Sequence, residues 1–295
     1  MIRPVNFSFN AETAVNNAFQ LPGAGGDAQA AALAEFEGFV RLLRDNGVDV
    51  TVVDDTSEPF TPDSIFPNNW VSFHDNGTVC LYPMFASNRR QERKPGVLMT
   101  IGRKFRVGAT LDLSAYEQQG LFLEGTGSMV LDRDAMIAYA CLSPRTDHVV
   151  LLDFCKKLGY TAEIFAAVDA AGRPIYHTNV MMCVGDAYVV VCLDALPHES
   201  ERQHLAATIR ATGKAIIPIT LYQMSHFAGN MLQVHNRDGE KLLIMSSQAY
   251  ASLDPAQLQQ LGAFSRILHA PLTTIETNGG GSARCMLAEI HLEPL

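Results

Sequence analysis

Asn278-Gly279-Gly280-Gly281-Ser282-Ala283-Arg284-Cys285, running into Met286-Leu287-Ala288, is the stretch on which the reading of this chain turns. Three successive glycines contribute nothing to packing. They allow positive φ and let a backbone or a ligand approach closely. The loop is read as delivering the thiol of Cys285, beside the cation of Arg284, to the mouth of a last strand. Nearby positive charge and exposed backbone N–H groups favour a nucleophilic thiolate. A glycine turn followed by an inert core cysteine fits the same residues.

Working back from this loop, the same pattern recurs. Thr61-Pro62-Asp63-Ser64-Ile65-Phe66-Pro67-Asn68-Asn69-Trp70 enters an apolar strand, turns at Asp75-Asn76-Gly77 and returns through 78–82. Glu124-Gly125-Thr126-Gly127-Ser128 leads into 129–131 and returns through 135–140. His177-Thr178-Asn179 leads into 180–184 and returns through 187–193. Ser225-His226-Phe227-Ala228-Gly229-Asn230 leads into 231–234 and returns through 241–245. Each unit is a polar motif, a strand, a tight turn and a second strand. Amphipathic helices are expected over 28–46, 147–158, 199–212 and 255–261, and a strand over 48–54.

Asn69, Gly127, Asn179, Asn230 and Cys285 follow one another at 58, 52, 51 and 55 residues. Such a period signals a repeat architecture. Five α/β units of this kind predict a closed ring in which the same point of each unit faces the axis. The polar motifs then meet at one central site, and residues 1–295 form a single domain.

Composition narrows the function classes. The chain has 295 residues, 47% hydrophobic and 18% charged, with net charge -9. It can bury a full core, and it lacks the basic patches that nucleic acid or anionic membrane would need. Residues 1–20 show no apolar signal-peptide core and no run approaches a membrane span, so a soluble, cytoplasmic protein is expected. The six cysteines have no CxxC spacing, so neither a zinc site nor a thioredoxin motif is expected.

If Cys285, His177, Glu124 and Asn69 share the centre, the set has a chemistry. A thiol nucleophile needs a partner that takes its proton and returns one to the leaving group, and histidine does both near neutral pH. A carboxylate such as Glu124 can accept N–H bonds from a nitrogen-rich substrate, and the glycine-rich backbone can hold developing charge. Taken singly, His177 and His226 also read as strand-end histidines, Glu124 as a turn carboxylate, Asp63 as a cap and Arg89-Arg90 as a solvated pair.

Leu123-Glu124-Gly125-Thr126-Gly127, His177-x-Asn179 and Asn278-Gly279-Gly280-Gly281 before Cys285 resemble the guanidino-group-modifying superfamily of arginine deiminases, amidinotransferases, dimethylarginine hydrolases and arginine dihydrolases. The resemblance runs from about Asp63 to the end of the chain. It implies a five-bladed α/β propeller (pentein), no cofactor and no metal, and a covalent intermediate on Cys285. It implies His177 as general acid/base and Glu124 as the grip on the substrate's terminal nitrogens. Phe66 would pack on the substrate methylenes, with Asp63 at the amino-acid head group. Arg89 and Arg145 would clamp the α-carboxylate, since bidentate arginine suits that group. Gly280 belongs to the substrate-contacting loop. The implied partner is a small amino acid, and proteins of this type are often homodimers.

Two departures from the deiminase pattern bear on the substrate. Asn179 stands two residues after His177 where deiminases have an acid, and Asn68-Asn69 stands for Arg-Asp. A guanidinium is a permanent cation with donors only. Losing two carboxylates forfeits charge-assisted hydrogen bonds of roughly 1.5–3 kcal/mol each. A neutral ureido group, with its carbonyl acceptor, suits amides at both places. The expected reaction is therefore citrulline to ornithine, carbon dioxide and ammonia. Arginine dihydrolase or deiminase, amidinotransferase and a non-catalytic propeller are the competing readings.

Overall fold

The computed structural model describes residues 1–23 and 27–295. It is a mixed α/β fold of small separate sheets. β1 (Ile2–Arg3) pairs in parallel with β2 (Val53–Asp54). The first three-stranded sheet holds β3 (Val71–Phe73), β4 (Thr78–Leu81) and β5 (Ala109–Asp112), and the second β6 (Val130–Asp132), β7 (Ile137–Cys141) and β8 (Thr161–Phe165). The third holds β9 (Met182–Val184), β10 (Tyr188–Val191) and β11 (Ala215–Pro218). The fourth holds β12 (Leu232–His235), β13 (Lys241–Ser246) and β14 (Arg266–Ala270).

These four sheets are built alike. An antiparallel hairpin comes first, then a third strand parallel to the second. A parallel return needs a crossover, and each is helical: Pro95–Gly102, His148–Leu158, Glu199–Ala211, and the pair Ser247–Ser252 and Pro255–Phe264. Their ends follow from local chemistry. Asp147 Oδ1 accepts the Val149 N–H at 2.7 Å, and Gly159 closes the helix in the left-handed conformation. Val150, Leu151, Phe154 and Cys155 form its buried face. Among the described residues, no helix is long and apolar enough to cross a membrane.

The four hairpins and the helices lie close to their expected places. Three expectations are corrected. The third strands β5, β8, β11 and β14 have no counterpart in the sequence reading; they are short and mostly half-exposed, and the apolar run of β11 is broken by Pro218. Of the strand expected over 48–54, only Val53–Asp54 pairs. The glycine loop does not open a strand. Cys285 sits in a 3-10 turn, Ala283–Met286, where Cys285 N–H bonds Ser282 O and Leu287 N–H bonds Arg284 O. These turn bonds take the groups a ladder would need, and residues 287–291 belong to no named strand among the described residues.

The polar motifs themselves are single helical turns placed just ahead of the hairpins: Pro67–Asn69, Gly125–Ser128 and Thr178–Val180, with Ala283–Met286 as the last. They touch in chain order. A methyl group on Gly125 would stand 2.3 Å from Asn68 O, one on Gly127 2.7 Å from His177 Nδ1, and one on Gly229 2.3 Å from Val180 O. Asn230 then reaches Cys285, and Gly281 packs on the ring of Phe66, back at the first turn. Only glycine admits backbones this close.

Candidate active site

Glu124 and His177 are the residues that open their turns, and both are buried. His177 Nε2 lies 2.8 Å from Glu124 Oε2, and the other carboxylate oxygen accepts the Phe85 N–H at 3.0 Å. Arg145 Nη1 and Arg89 Nη1 stand 3.5 and 3.8 Å from the same Oε2. Burial works against the Glu124 charge, but the two guanidiniums and His177 hold its carboxyl well below the usual range. Burial pushes the imidazole of His177 down to about 4, outweighing the carboxylate's pull. An ionised Glu124 only accepts, so the neutral imidazole carries its proton on Nε2 and leaves Nδ1 as the free base.

His177 and Cys285 line one cavity with Thr13, Asn17, Asp63, Phe66, Asn69, Arg89, Arg145, Tyr176 and the three glycines. The sulfur of Cys285 meets two amides, Asn230 Nδ2 at 3.3 Å and Asn179 Nδ2 at 3.5 Å. Methyl groups on Gly279 and Gly281 would stand 2.8 and 3.0 Å from the Phe66 ring, so that ring requires both glycines. Gly280, at φ +64°, ends the helix Thr273–Gly279, and its carbonyl accepts from Tyr176 Oη at 2.5 Å and from Asn17 Nδ2 at 3.3 Å. The Cα geometry there favours glycine.

Asn69, rather than Asn68, faces this cavity; Asn68 accepts from Asn69 Nδ2 at 3.1 Å and donates to Thr126 Oγ1 at 3.3 Å. Arg89 is already engaged. It grips Glu92 through two bonds of 2.8 and 3.0 Å and gives Nη1 to Asn69 Oδ1 at 2.8 Å. Arg145, by contrast, has neutral partners close by: Asn16 Oδ1 at 2.6 Å and Thr13 O at 2.6 Å, with its guanidinium 5.1 Å above the Tyr176 ring. Asp63 Oδ2 accepts from Asn10 at 2.7 Å and Thr13 at 3.1 Å, while Oδ1 has no partner among the described residues. Burial raises the Asp63 carboxyl against the pull of Arg89.

Three expected features are placed differently. Glu124 lies behind His177 and not on the cavity wall, both its oxygens taken by protein. Arg284 turns its guanidinium away from the thiol, to Leu287 O at 2.8 Å and Glu289 at 2.7 Å. His226 lies outside the cavity and bonds Tyr222 O through Nδ1 at 2.8 Å. The sequence reading missed Asn230, Tyr176, Glu92 and the segment from Asn10 to Gln20. Asn230 had a signal, its place in the repeat period. The N-terminal segment had none, since its partners lie 50 to 263 residues away.

The cavity measures about 10 Å³, room for about one water molecule. The N-terminal segment fills the rest: Asn10 and Thr13 on Asp63, Thr13 and Asn16 on Arg145, Asn17 on Gly280, and Gln20 on Asn278 O at 2.9 Å.

Residues 3–292 match the family model described as N,N dimethylarginine dimethylhydrolase, eukaryotic. The chain belongs to that family. It therefore falls within the guanidino-group-modifying superfamily expected from its motifs, and within the expected class of cysteine-dependent C–N hydrolases. No curated protein matches it in sequence. Among solved structures it is similar to ArgZ in its apo form, an arginine dihydrolase from the ornithine–ammonia cycle in cyanobacteria, with 17% identity and a TM-score of 0.76. All of this chain is covered there but only 42% of ArgZ, so the chain spans less than half of that protein. Against the N-terminal domain of ArgZ bound to product, identity is 18%, TM-score 0.75, and coverage 97% of this chain and 94% of that one. A dimethylarginine dimethylaminohydrolase adduct with 4-chloro-2-hydroxymethylpyridine gives 19%, 0.63, and 88% and 90%. At these identities the likeness is one of fold.

Proposed function

We propose that this protein hydrolyses the ureido or guanidino carbon of a free α-amino acid through a covalent Cys285 intermediate, and that citrulline is the substrate. The observation that carries the choice of citrulline is that amides stand at both positions, Asn69 on the cavity wall and Asn179 buried beside the thiol, its Nδ2 3.5 Å from the sulfur. An amide can donate to a ureido carbonyl and accept from its N–H groups, whereas a guanidinium calls for carboxylates.

In this reading Nδ1 of His177 takes the thiol proton and the sulfur attacks the ureido carbon. The bond from that carbon to the side-chain nitrogen breaks, and the imidazolium returns the proton to that nitrogen, releasing ornithine. Water, deprotonated by the same imidazole, cleaves the S-carbamoyl group, and the carbamate falls to carbon dioxide and ammonia. Glu124 holds the tautomer of His177 and steadies its cation. Arg145 takes the α-carboxylate and Asp63, through the Oδ1 that has no partner among the described residues, the α-amino group. Phe66 covers the methylenes and Gly280 shapes the loop. Arg89, spent on Glu92, fixes the orientation of Asn69 rather than clamping substrate. The segment from Asn10 to Gln20 gives way for the substrate to enter.

The whole chain acts as one catalytic domain, residues 1–295, arranged as a five-bladed α/β propeller. Its fifth sector is made by β1, β2 and the residues after Cys285. The proposed assembly is a homodimer, which sedimentation would check. Purified protein incubated separately with citrulline, arginine and dimethylarginine, with ornithine, ammonia and dimethylamine measured, tests the substrate. Ornithine formed from arginine as fast as from citrulline, or dimethylamine from dimethylarginine, would replace citrulline by that compound.

A further inference from the structure

We infer that Asn230 is the positioning residue of Cys285: a fixed N–H donor that orients the sulfur and favours its anionic form, leaving Asn179 to face the substrate. This rests on the reading of Cys285 as the nucleophile.

The orientation of the Asn230 amide is set by two backbone partners of opposite polarity. Its Oδ1 accepts the Arg284 N–H at 3.1 Å, and its Nδ2 donates to Asn179 C=O at 2.9 Å. Turning the amide over would set oxygen against oxygen and N–H against N–H. The second Nδ2 hydrogen therefore faces the sulfur, 3.3 Å away, nearer than Oδ1 at 3.7 Å. Hydrogen bonding to the charged form of a group favours that form. Asn179 differs. Its Nδ2 and Oδ1 lie 3.5 and 3.9 Å from the sulfur, and no backbone group holds its side-chain amide among the described residues. Among the described residues, Asn230 is fixed by the backbone on both its side-chain atoms, and Asn179 by the sulfur alone.

The surroundings are built to hold Asn230. It is fully buried, and its own N–H bonds Phe227 O at 2.8 Å. Phe227 has φ +62°, a left-handed conformation that a bulky residue adopts only when its contacts impose it. Gly229 admits Val180 O where a side chain would clash, which brings Asn230 onto the His177 turn. The same amide thus ties together the turns that carry His177 and Cys285. The titratable groups that share the sulfur's cavity are His177, Tyr176, Asp63, Arg89 and Arg145, while Arg284 points away to Glu289.

The test is the pH profile of Cys285 alkylation by iodoacetamide, read on the Cys285 peptide by mass spectrometry, in wild type, Asn230→Asp and Asn230→Ala. The Asp variant keeps the shape and the acceptor for Arg284 but turns an oxygen toward the sulfur. Expected are a shift of the midpoint to higher pH by about one unit and a fall in alkylation at pH 7 on the order of tenfold. With the substrate that wild type turns over, kcat should fall while KM stays within about twofold. Wild-type profiles in both variants would overturn the inference. If neither variant folds, the Asn230 side-chain N–H resonances of the wild-type protein decide. They should move with the alkylation midpoint and stop doing so in Cys285→Ser, and resonances that ignore it sink the proposal. Failure of the nucleophile reading is seen separately, as product release that survives Cys285→Ser.

Discussion

Glu124 stands behind His177, its Oε2 2.8 Å from Nε2, with both residues buried and two arginines within 4 Å of the same oxygen. A carboxylate so placed cannot also grip a ligand, and its work is to fix which ring nitrogen is basic. In Glu124→Gln the amide can offer its NH2 to Nε2, and the proton then moves to Nδ1. We expect kcat to fall by on the order of 10²–10⁴ with KM little changed, as for other tautomer-setting carboxylates. Steady-state kinetics, with circular dichroism to confirm folding, checks this.

The same burial gives His177 a signature in stability. Its folded value is lowered to about 4 from 6.5, so the unfolded chain binds the proton more readily. The stability owed to neutral His177 is complete above pH 6.5 and is lost as pH falls from 6.5 through 4, by about 3 kcal/mol at most. His74, pushed down to about 3 chiefly by burial, acts in the same direction. Glu92 and Glu276, raised to about 7 by burial, act in the opposite one. The difference between wild type and His177→Asn isolates the term. Urea unfolding should show the advantage of wild type shrinking between pH 6.5 and pH 4, and a constant difference would refute it.

The amide pair predicts a specificity change. Asn69→Asp keeps the acceptor for Arg89 Nη1, and Asn179→Asp places a charge near the thiol. The double variant should lose citrulline turnover by about tenfold or more while gaining affinity for arginine. Charge-assisted bonds replace neutral ones for the guanidinium, and a buried carboxylate faces the ureido group unpaired. Competition of arginine against citrulline in wild type and variant measures the ratio kcat/KM for each.

Arg145 makes its short bonds to neutral acceptors, Thr13 O and Asn16 Oδ1, with Glu124 Oε2 farther off at 3.5 Å, so it can exchange those neutral partners for a carboxylate. Arg145→Met should raise KM for the amino acid by about tenfold to a hundredfold, the loss of a charge-assisted pair. A ureido compound lacking the α-carboxylate should be indifferent to the change, which separates binding from damage to the site.

Asn16 competes for that same guanidinium through bonds of 2.8 and 2.6 Å. Asn16→Ala should therefore lower KM by several-fold. Hydrogen exchange of residues 10–20 should also speed up in the variant without ligand. An unchanged KM would show that the segment does not gate entry.

The sequence determined the hairpins, three of the crossover helices (His148–Leu158, Glu199–Ala211 and Pro255–Phe264, but not Pro95–Gly102 or Ser247–Ser252) and the residue types of the site. These depend on short-range physics: apolar alternation, turn residues such as Asp75-Asn76-Gly77, caps such as Asp147, and the period that links Asn69 to Cys285. Glu124, His177 and Cys285 were legible because their motifs recur in phase. Which atom faces which was decided only by the tertiary structure. Arg89 meets Glu92, and Arg284 meets Leu287 and Glu289, within five residues, but no local pattern says which way those guanidiniums turn. The place of Glu124 behind the imidazole and the lock of Asn230 on the sulfur depend on contacts between residues 53 and 55 apart. The parallel third strands and the N-terminal plug belong to the same class. Their partners are distant, their own residues are short or half-exposed, and no local pattern records a contact that exists only once the chain has closed on itself.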